Sequence, residues 1–217
     1  MKSLVRALAC VIMMLAVAAP QLRADDNEEW KAPKKFTSIG YAHTTFTNPN
    51  FEVKSKFGIS LNKSTTYYLH KPIANRLRFG IDVVWTDLTY SNYELPQADP
   101  READVKMHEV DITVQAGLGI NFNITRHSSL HGYFRYAPGF MGVYDSEDFR
   151  GGFLNSAIGG VLINYRMIGC GIEYRFGQSK HKALIGNYDE ETGYEAPSDE
   201  KVTSKIKGIR AFVCIRF

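Results

Sequence analysis

Beyond residue 24 the 217-residue chain has no apolar run approaching the roughly 20 residues that a membrane-crossing helix needs. Nor does any stretch sustain apolar residues at the i, i+3, i+4, i+7 spacing of a helix face. These absences exclude helical membrane proteins and helix bundles. Cysteine is scarce: Cys10, Cys170 and Cys214 are too few for a disulfide scaffold and have no His or Cys partner at zinc spacing. No metal or other cofactor is expected. No Pro/Gly/Ser-rich linker divides the chain, which predicts one domain. What is plentiful is aromatic, with 13 Phe and 12 Tyr, while a mean hydropathy of -0.24 leaves no bulk apolar excess.

The N-terminus has the parts of a secretory signal. Lys2 and Arg6 form a positive start, Ala7 to Ala19 an apolar centre, and Ala24 a small residue ahead of Asp25 and Asp26. Residues 1–24 are therefore expected to be a signal peptide and 25–35 a short periplasmic tail, with a barrel over 36–217. Removing the signal takes Lys2, Arg6 and Arg23, so the formal charge of +3 falls to zero. A neutral mature chain gives a nucleic-acid partner no electrostatic support, and none is expected.

From about Phe36 onward the pattern has period two. Val110, Ile112, Val114, Ala116, Leu118, Ile120 and Phe122 alternate with Glu109, Asp111, Thr113, Gln115, Gly117 and Gly119. Leu77 to Trp85 alternate with Arg76, Arg78, Gly80 and Asp82, and Ile168 to Phe176 with Gly169, Gly171, Glu173 and Arg175. The spacing predicts eight strands, over 36–47, 54–69, 76–92, 106–122, 129–143, 152–165, 168–183 and 202–217. The facing of 152–165 stays open, because apolar residues fall on both of its sides. Breaks between strands alternate strictly long and short. With both termini on one side, an even number of strands puts the short turns at the periplasm and the long loops outside.

A soluble ligand-binding barrel would alternate too, with its apolar face inward. Export, loop alternation and apolar faces carrying Trp85, Tyr174, Phe176 and Phe217, expected near strand ends, favour a membrane barrel. The last strand is the most specific mark. Ile209, Ala211, Val213, Ile215 and Phe217 alternate with Arg210, Phe212, Cys214 and Arg216. This ending resembles the small eight-stranded outer-membrane barrels of the OmpA/OmpX type and the broad outer-membrane β-barrel domain family of Gram-negative bacteria. The resemblance covers Phe36 to Phe217. It implies an all-β, eight-stranded antiparallel up-and-down transmembrane β-barrel in the outer membrane. It also implies that Ile209, Ala211, Val213, Ile215 and Phe217 form the signal read by the barrel assembly machinery.

If the apolar faces meet lipid, the lumen receives Arg76, Arg78, Asp82, Glu109, Asp111, Arg135, Glu173, Arg175, Arg210 and Arg216. An eight-stranded interior is only wide enough for side chains, and an unpaired charge there costs several kcal/mol. A paired, plugged network is expected rather than a wide channel. The long loops are acidic, with Glu94, Asp99, Glu102, Asp104, Asp145, Glu147, Asp148, Asp189, Glu190, Glu191, Glu195, Asp199 and Glu200. Beside them Lys201, Lys205 and Lys207 suit lipopolysaccharide phosphates.

No catalytic constellation emerges. His43, His70, His108, His127 and His131 have Ser or acid neighbours, and His127-Ser128-Ser129 faintly resembles the His-x-Ser of outer-membrane lipid A deacylases. Leu130 follows where those enzymes carry Asn, and the trio falls in a predicted periplasmic turn. The expectation is a non-enzymatic barrel with a structural or adhesive surface role, partnered by outer-membrane lipid, lipopolysaccharide and a basic surface protein. The alternatives are a component of a transport or secretion complex, a narrow pore, or a lipid A-modifying enzyme. Cys170 shares a face with Ile168 and Ile172 and Cys214 with Arg210 and Arg216, so the thiols should point apart and stay free.

Overall fold

The computed structural model describes residues 34–47, 52–74, 76–95, 105–144, 149–183 and 202–217. The proposed signal, most of the tail, most of the acidic loop residues and Lys201 lie outside them. Within them the chain forms β1 (Lys35–Thr47), β2 (Glu52–Lys54), β3 (Phe57–Tyr68), β4 (Leu77–Leu95), β5 (Val105–Asn123), β6 (Ser128–Tyr144), β7 (Phe149–Tyr165), β8 (Ile168–Ala183) and β9 (Val202–Arg216). Every neighbouring pair is antiparallel, and β9 closes on β1 from Phe36 opposite Arg216 to Thr47 opposite Lys205. The short β2 pairs with the far end of β1 and continues the line of β3, so the closed wall is eight strands. Closure matters in lipid, where an open edge would leave unpaired N–H and C=O groups.

The predicted strand boundaries hold to within a few residues. Backbone at the expected short breaks makes tight turns. Tyr165 pairs directly with Ile168, leaving Arg166 and Met167 as a two-residue hairpin loop in which Arg166 takes φ 53°. Such loops favour a left-handed first residue, because that twist matches the strands they join.

Side-chain alternation places apolar residues outward. Ile39, Leu61, Ile81, Val114, Leu118, Phe134, Val161, Ile168, Val213 and Ile215 are all exposed. Of the aromatics expected near strand ends, Phe217 sits at the chain end, whereas Trp85, Tyr174 and Phe176 are mid-strand. The strands are longer than a span. Counted from the short-turn end, Trp85 and Phe176 are each about the ninth residue of their strands, the top of the roughly 9–11 that cross a bilayer. The interface therefore falls partway up each strand.

Inside, two apolar clusters flank the charges. Phe46, Val53, Tyr93, Met107, Met141, Val143, Leu154 and Ile206 fill the end nearest the long loops. Phe36, Tyr133, Ala137, Ile158, Leu162, Phe212 and Cys214 pack lower down, along β1, β6, β7 and β9. Strand β7, ambiguous in sequence, turns Leu154, Ser156, Ile158, Leu162 and Asn164 inward. Both of its faces are apolar because the inward one joins these clusters.

Candidate functional site: the interior charge network

Eight of the ten side chains assigned to the lumen are buried there: Asp82, Glu109, Asp111, Arg135, Glu173, Arg175, Arg210 and Arg216. Arg78 is half-buried at the rim, with its guanidinium 5.3 Å from the centre of the Tyr68 ring. Arg76 is a correction. β4 begins at Leu77, and Arg76 occupies the preceding turn, where its N–H donates to the Ile73 carbonyl and its side chain is exposed. Alternation does not extend into a turn, so its parity carried no information.

A hub that alternation missed is Asp87. Strand β4 pairs Val84 with Gln115 and Asp87 with Thr113, while on its other side Val84 faces Ser64 and Thr86 faces Lys63. The mismatch is a β-bulge at Trp85 and Thr86, both of which point outward. A bulge adds a residue to one strand and reverses the facing of everything beyond it. Asp87, outward by simple alternation, is fully buried inside. The sequence carries a signal for this: apolar residues on β4 run 77, 79, 81, 83, 85 and then jump to Leu88 and Tyr90.

Around Asp87 the cations converge. Arg210 donates to it through Nη1 at 2.8 Å and Nη2 at 3.0 Å, and Arg175 donates through Nη2 at 3.1 Å. The Gln115 amide adds a third donor at 2.6 Å. Arg175 also reaches Asp111 through Nη1 at 2.7 Å, and Nε of Arg210 lies 3.1 Å from Glu173. Tyr133 donates its hydroxyl to the other oxygen of Glu173 at 2.6 Å. Two arginines, three carboxylates, the Gln115 amide and the Tyr133 hydroxyl, carried on five strands, thus form one cluster. Charges taken out of water cost several kcal/mol each, and an arrangement that pairs each arginine twice offsets that cost.

A second cluster lies nearer the short turns. Asp82 accepts from Thr66 Oγ1 at 2.6 Å and Arg135 Nη2 at 3.2 Å, and its Oδ2 lies 2.8 Å from His131 Nε2. The Arg135 guanidinium also sits 3.6 Å from the centre of the Tyr133 ring, tying the two clusters together. Towards the loops, Tyr93 donates to Glu109 at 2.7 Å and shares a 2.8 Å hydrogen bond with Thr44. His131 was a catalytic candidate, but it is sealed in the interior with Asp82.

The remaining candidates are separate from the network and from each other. His43 is exposed on the outward face of β1, and His70 accepts from the Phe79 N–H at the short-turn rim. His108 bonds Tyr90 near the loop end. His127, Ser128 and Ser129 start at a turn, and Ser128 Oγ is taken up by Thr125 Oγ1. Cys170 is exposed outward and Cys214 is buried inward, both free, as the parity argument required. The proposed assembly residues Ile209, Ala211, Val213, Ile215 and Phe217 all face outward.

No family model matches the chain, and no curated protein matches it either. Similarity is found among solved structures. Neisserial surface protein A aligns at 16% identity and TM-score 0.44, over 84% of this chain and 97% of its own. Ail, the attachment invasion locus protein of Yersinia pestis, in complex with the heparin analogue sucrose octasulfate, aligns at 14% and 0.41, over 84% and 99%. The outer membrane protease OmpT of Escherichia coli aligns at 8% and 0.45, over 92% and 100%. A closed eight-stranded antiparallel wall, apolar outside and packed with paired charges inside, gives this chain the fold of a small eight-stranded β-barrel.

Proposed function

We propose that the chain is a non-enzymatic, closed outer-membrane barrel whose role is structural and adhesive, exercised by its acidic loops at the cell surface. The observation that carries this reading is the interior itself. The Asp87, Arg175 and Arg210 cluster crosses the lumen, and the apolar group around Tyr93, Met107 and Met141 covers it on the loop side. Among the described residues His131 and Asp82 are fully buried beneath these groups, which supports a closed lumen.

On this reading the end carrying both termini faces the periplasm, and the outward residues Ile209 to Phe217 engage the assembly machinery. Lipopolysaccharide meets the wall where Lys207, paired with Phe176, and Lys205 line a groove of about 580 Å³. Lys207 Nζ is 3.8 Å from Glu52, an exposed contact that a phosphate displaces at little cost. A basic surface protein is the partner that acidic loops suit.

Planar-bilayer recordings of the purified barrel test the closed lumen, with large steady conductance as the refuting result. Adhesion is tested separately in cells expressing the chain. Replacing Asp145, Glu147 and Asp148 by amides should reduce attachment to a basic surface, and unchanged attachment refutes the adhesive role.

A further inference from the structure

Between the second and ninth residue from the short-turn end, the outward face of every strand is apolar or uncharged, with one exception. Lys63, the sixth residue from the end of β3, points outward with Leu61 above it and Thr65 below. Among the described residues it is the one ammonium or carboxylate in that band. A lysine on the lipid face of a barrel costs about 2–4 kcal/mol at the bilayer midplane, so its head must reach polar material.

The wall shows which way that material lies. Above Lys63 the outward neighbours are Leu61, Ile39 and Tyr41; beside and below it are Thr37, Thr86 and Thr65, leading to Lys35. Trp85 donates its indole N–H to Thr65 Oγ1 at 3.3 Å, so this track is built into the wall. At its foot, over the end of β3, a concavity of about 570 Å³ is lined by Lys34, Lys35, Tyr67, His70 and Lys71 among others. Among the described residues no side-chain carboxylate is paired with Lys35, Lys63 or Lys71, and Tyr67 and Leu69 beside them expose apolar surface outward.

We propose that this foot binds one anionic phospholipid, of the phosphatidylglycerol class, from the periplasmic leaflet. Its phosphate sits between Lys35 and Lys71, its glycerol head is drawn up the threonine track towards Lys63, and an acyl chain lies along Tyr67 and Leu69. Charge selects the ligand: a zwitterionic lipid brings its own cation to a concavity already lined by Lys34, Lys35, Lys71 and Arg78, with Lys63 above it. The inference rests on the membrane orientation given under the proposed function, but its test does not require that orientation.

The test is native mass spectrometry of the full mature chain, folded in nonionic detergent and titrated with phosphatidylglycerol or with phosphatidylcholine of the same acyl chains. One phosphatidylglycerol should bind per barrel in preference to phosphatidylcholine. Each cation near a membrane surface contributes roughly five-fold in affinity, so K35Q/K63Q/K71Q should weaken binding on the order of 100-fold. K63Q alone should lose about five-fold, while K205Q/K207Q at the other end should lose nothing. Heat-modifiable migration verifies that each variant is folded. Equal binding of the two lipids, or an unchanged triple variant, overturns the inference. So does phosphatidylglycerol binding that begins only when Asp25, Asp26, Glu28 and Glu29 are made amides, because the chain's own tail would then hold the lysines. A barrel that folds but fails to discriminate lipids sinks this inference alone; one that does not fold in detergent sinks the membrane reading.

Discussion

Asp87 and Arg210, 123 positions apart in sequence, meet side by side across the lumen, Nη1 on Oδ1 at 2.8 Å and Nη2 on Oδ2 at 3.0 Å. Both are buried, so neither has water to fall back on. Asp87→Ala should destabilise the folded barrel by about 3–5 kcal/mol, because it leaves both Nη groups of Arg210 and one arm of Arg175 without their anion. Urea titration of the heat-modifiable band measures this. A loss below about 1 kcal/mol, the scale of an exposed pair, would show that the cluster is solvated.

The bulge makes a sharper prediction. Inserting one alanine between Asp87 and Leu88 breaks the phase beyond it, driving Leu88 inward and turning Thr89 to the lipid side. This insertion should abolish the folded, heat-modifiable form. Trp85→Phe, which keeps the residue count, should cost less than about 2 kcal/mol. Equal folding of both variants would mean that the phase of β4 is set elsewhere.

Two glycines offer a contrast that burial alone does not supply. A Cβ built on Gly117 would lie 2.0 Å from the Phe134 carbonyl oxygen and 2.5 Å from Arg135 Cα, both backbone atoms, whereas one on Gly132 meets nothing within 4 Å. Gly117→Ala should lose about 1–3 kcal/mol or more, the cost of forcing atoms into a packed site. Gly132→Ala should fall within about 0.5 kcal/mol of wild type. Their urea midpoints, compared in one detergent, decide it.

The thiols can be counted. In a chain beginning at Asp25, a membrane-permeant maleimide should add one label to the folded barrel, at Cys170, and two after unfolding in urea. Reductant should change neither number. Labelling that requires both reductant and unfolding would reveal a bond between Cys170 and Cys214.

Most of the wall was legible because a strand's code is short. Period two survives wherever one face meets lipid, and β5, β8 and β9 were read nearly to the residue. The interior was legible to the same extent, since Glu173, Arg175 and Arg210 lie on strands with unbroken phase. Asp87 was not, because one inserted residue inverts parity and the apolar jump from Trp85 to Leu88 was its only trace. Arg76 was misplaced for the opposite reason: parity was carried into a turn that has none. The apolar clusters were hidden as well. Met107, Met141 and Leu154 are no different in sequence from residues that face lipid, and only closure of the ring tells them apart.

The bulge at Trp85 and Thr86 also limits how this protein can change. It divides β4 into two half-strands of opposite phase, each internally consistent. A one-residue insertion or deletion on either side acts like a frameshift, exchanging the oily and ionic faces of a half-strand at a stroke. Lengthening or shortening the wall by pairs of residues preserves both faces. As long as the bulge is kept, the tolerated variants of this strand should therefore differ in length by even numbers, with Asp87 always an odd step from the bulge's inner neighbour, Val84.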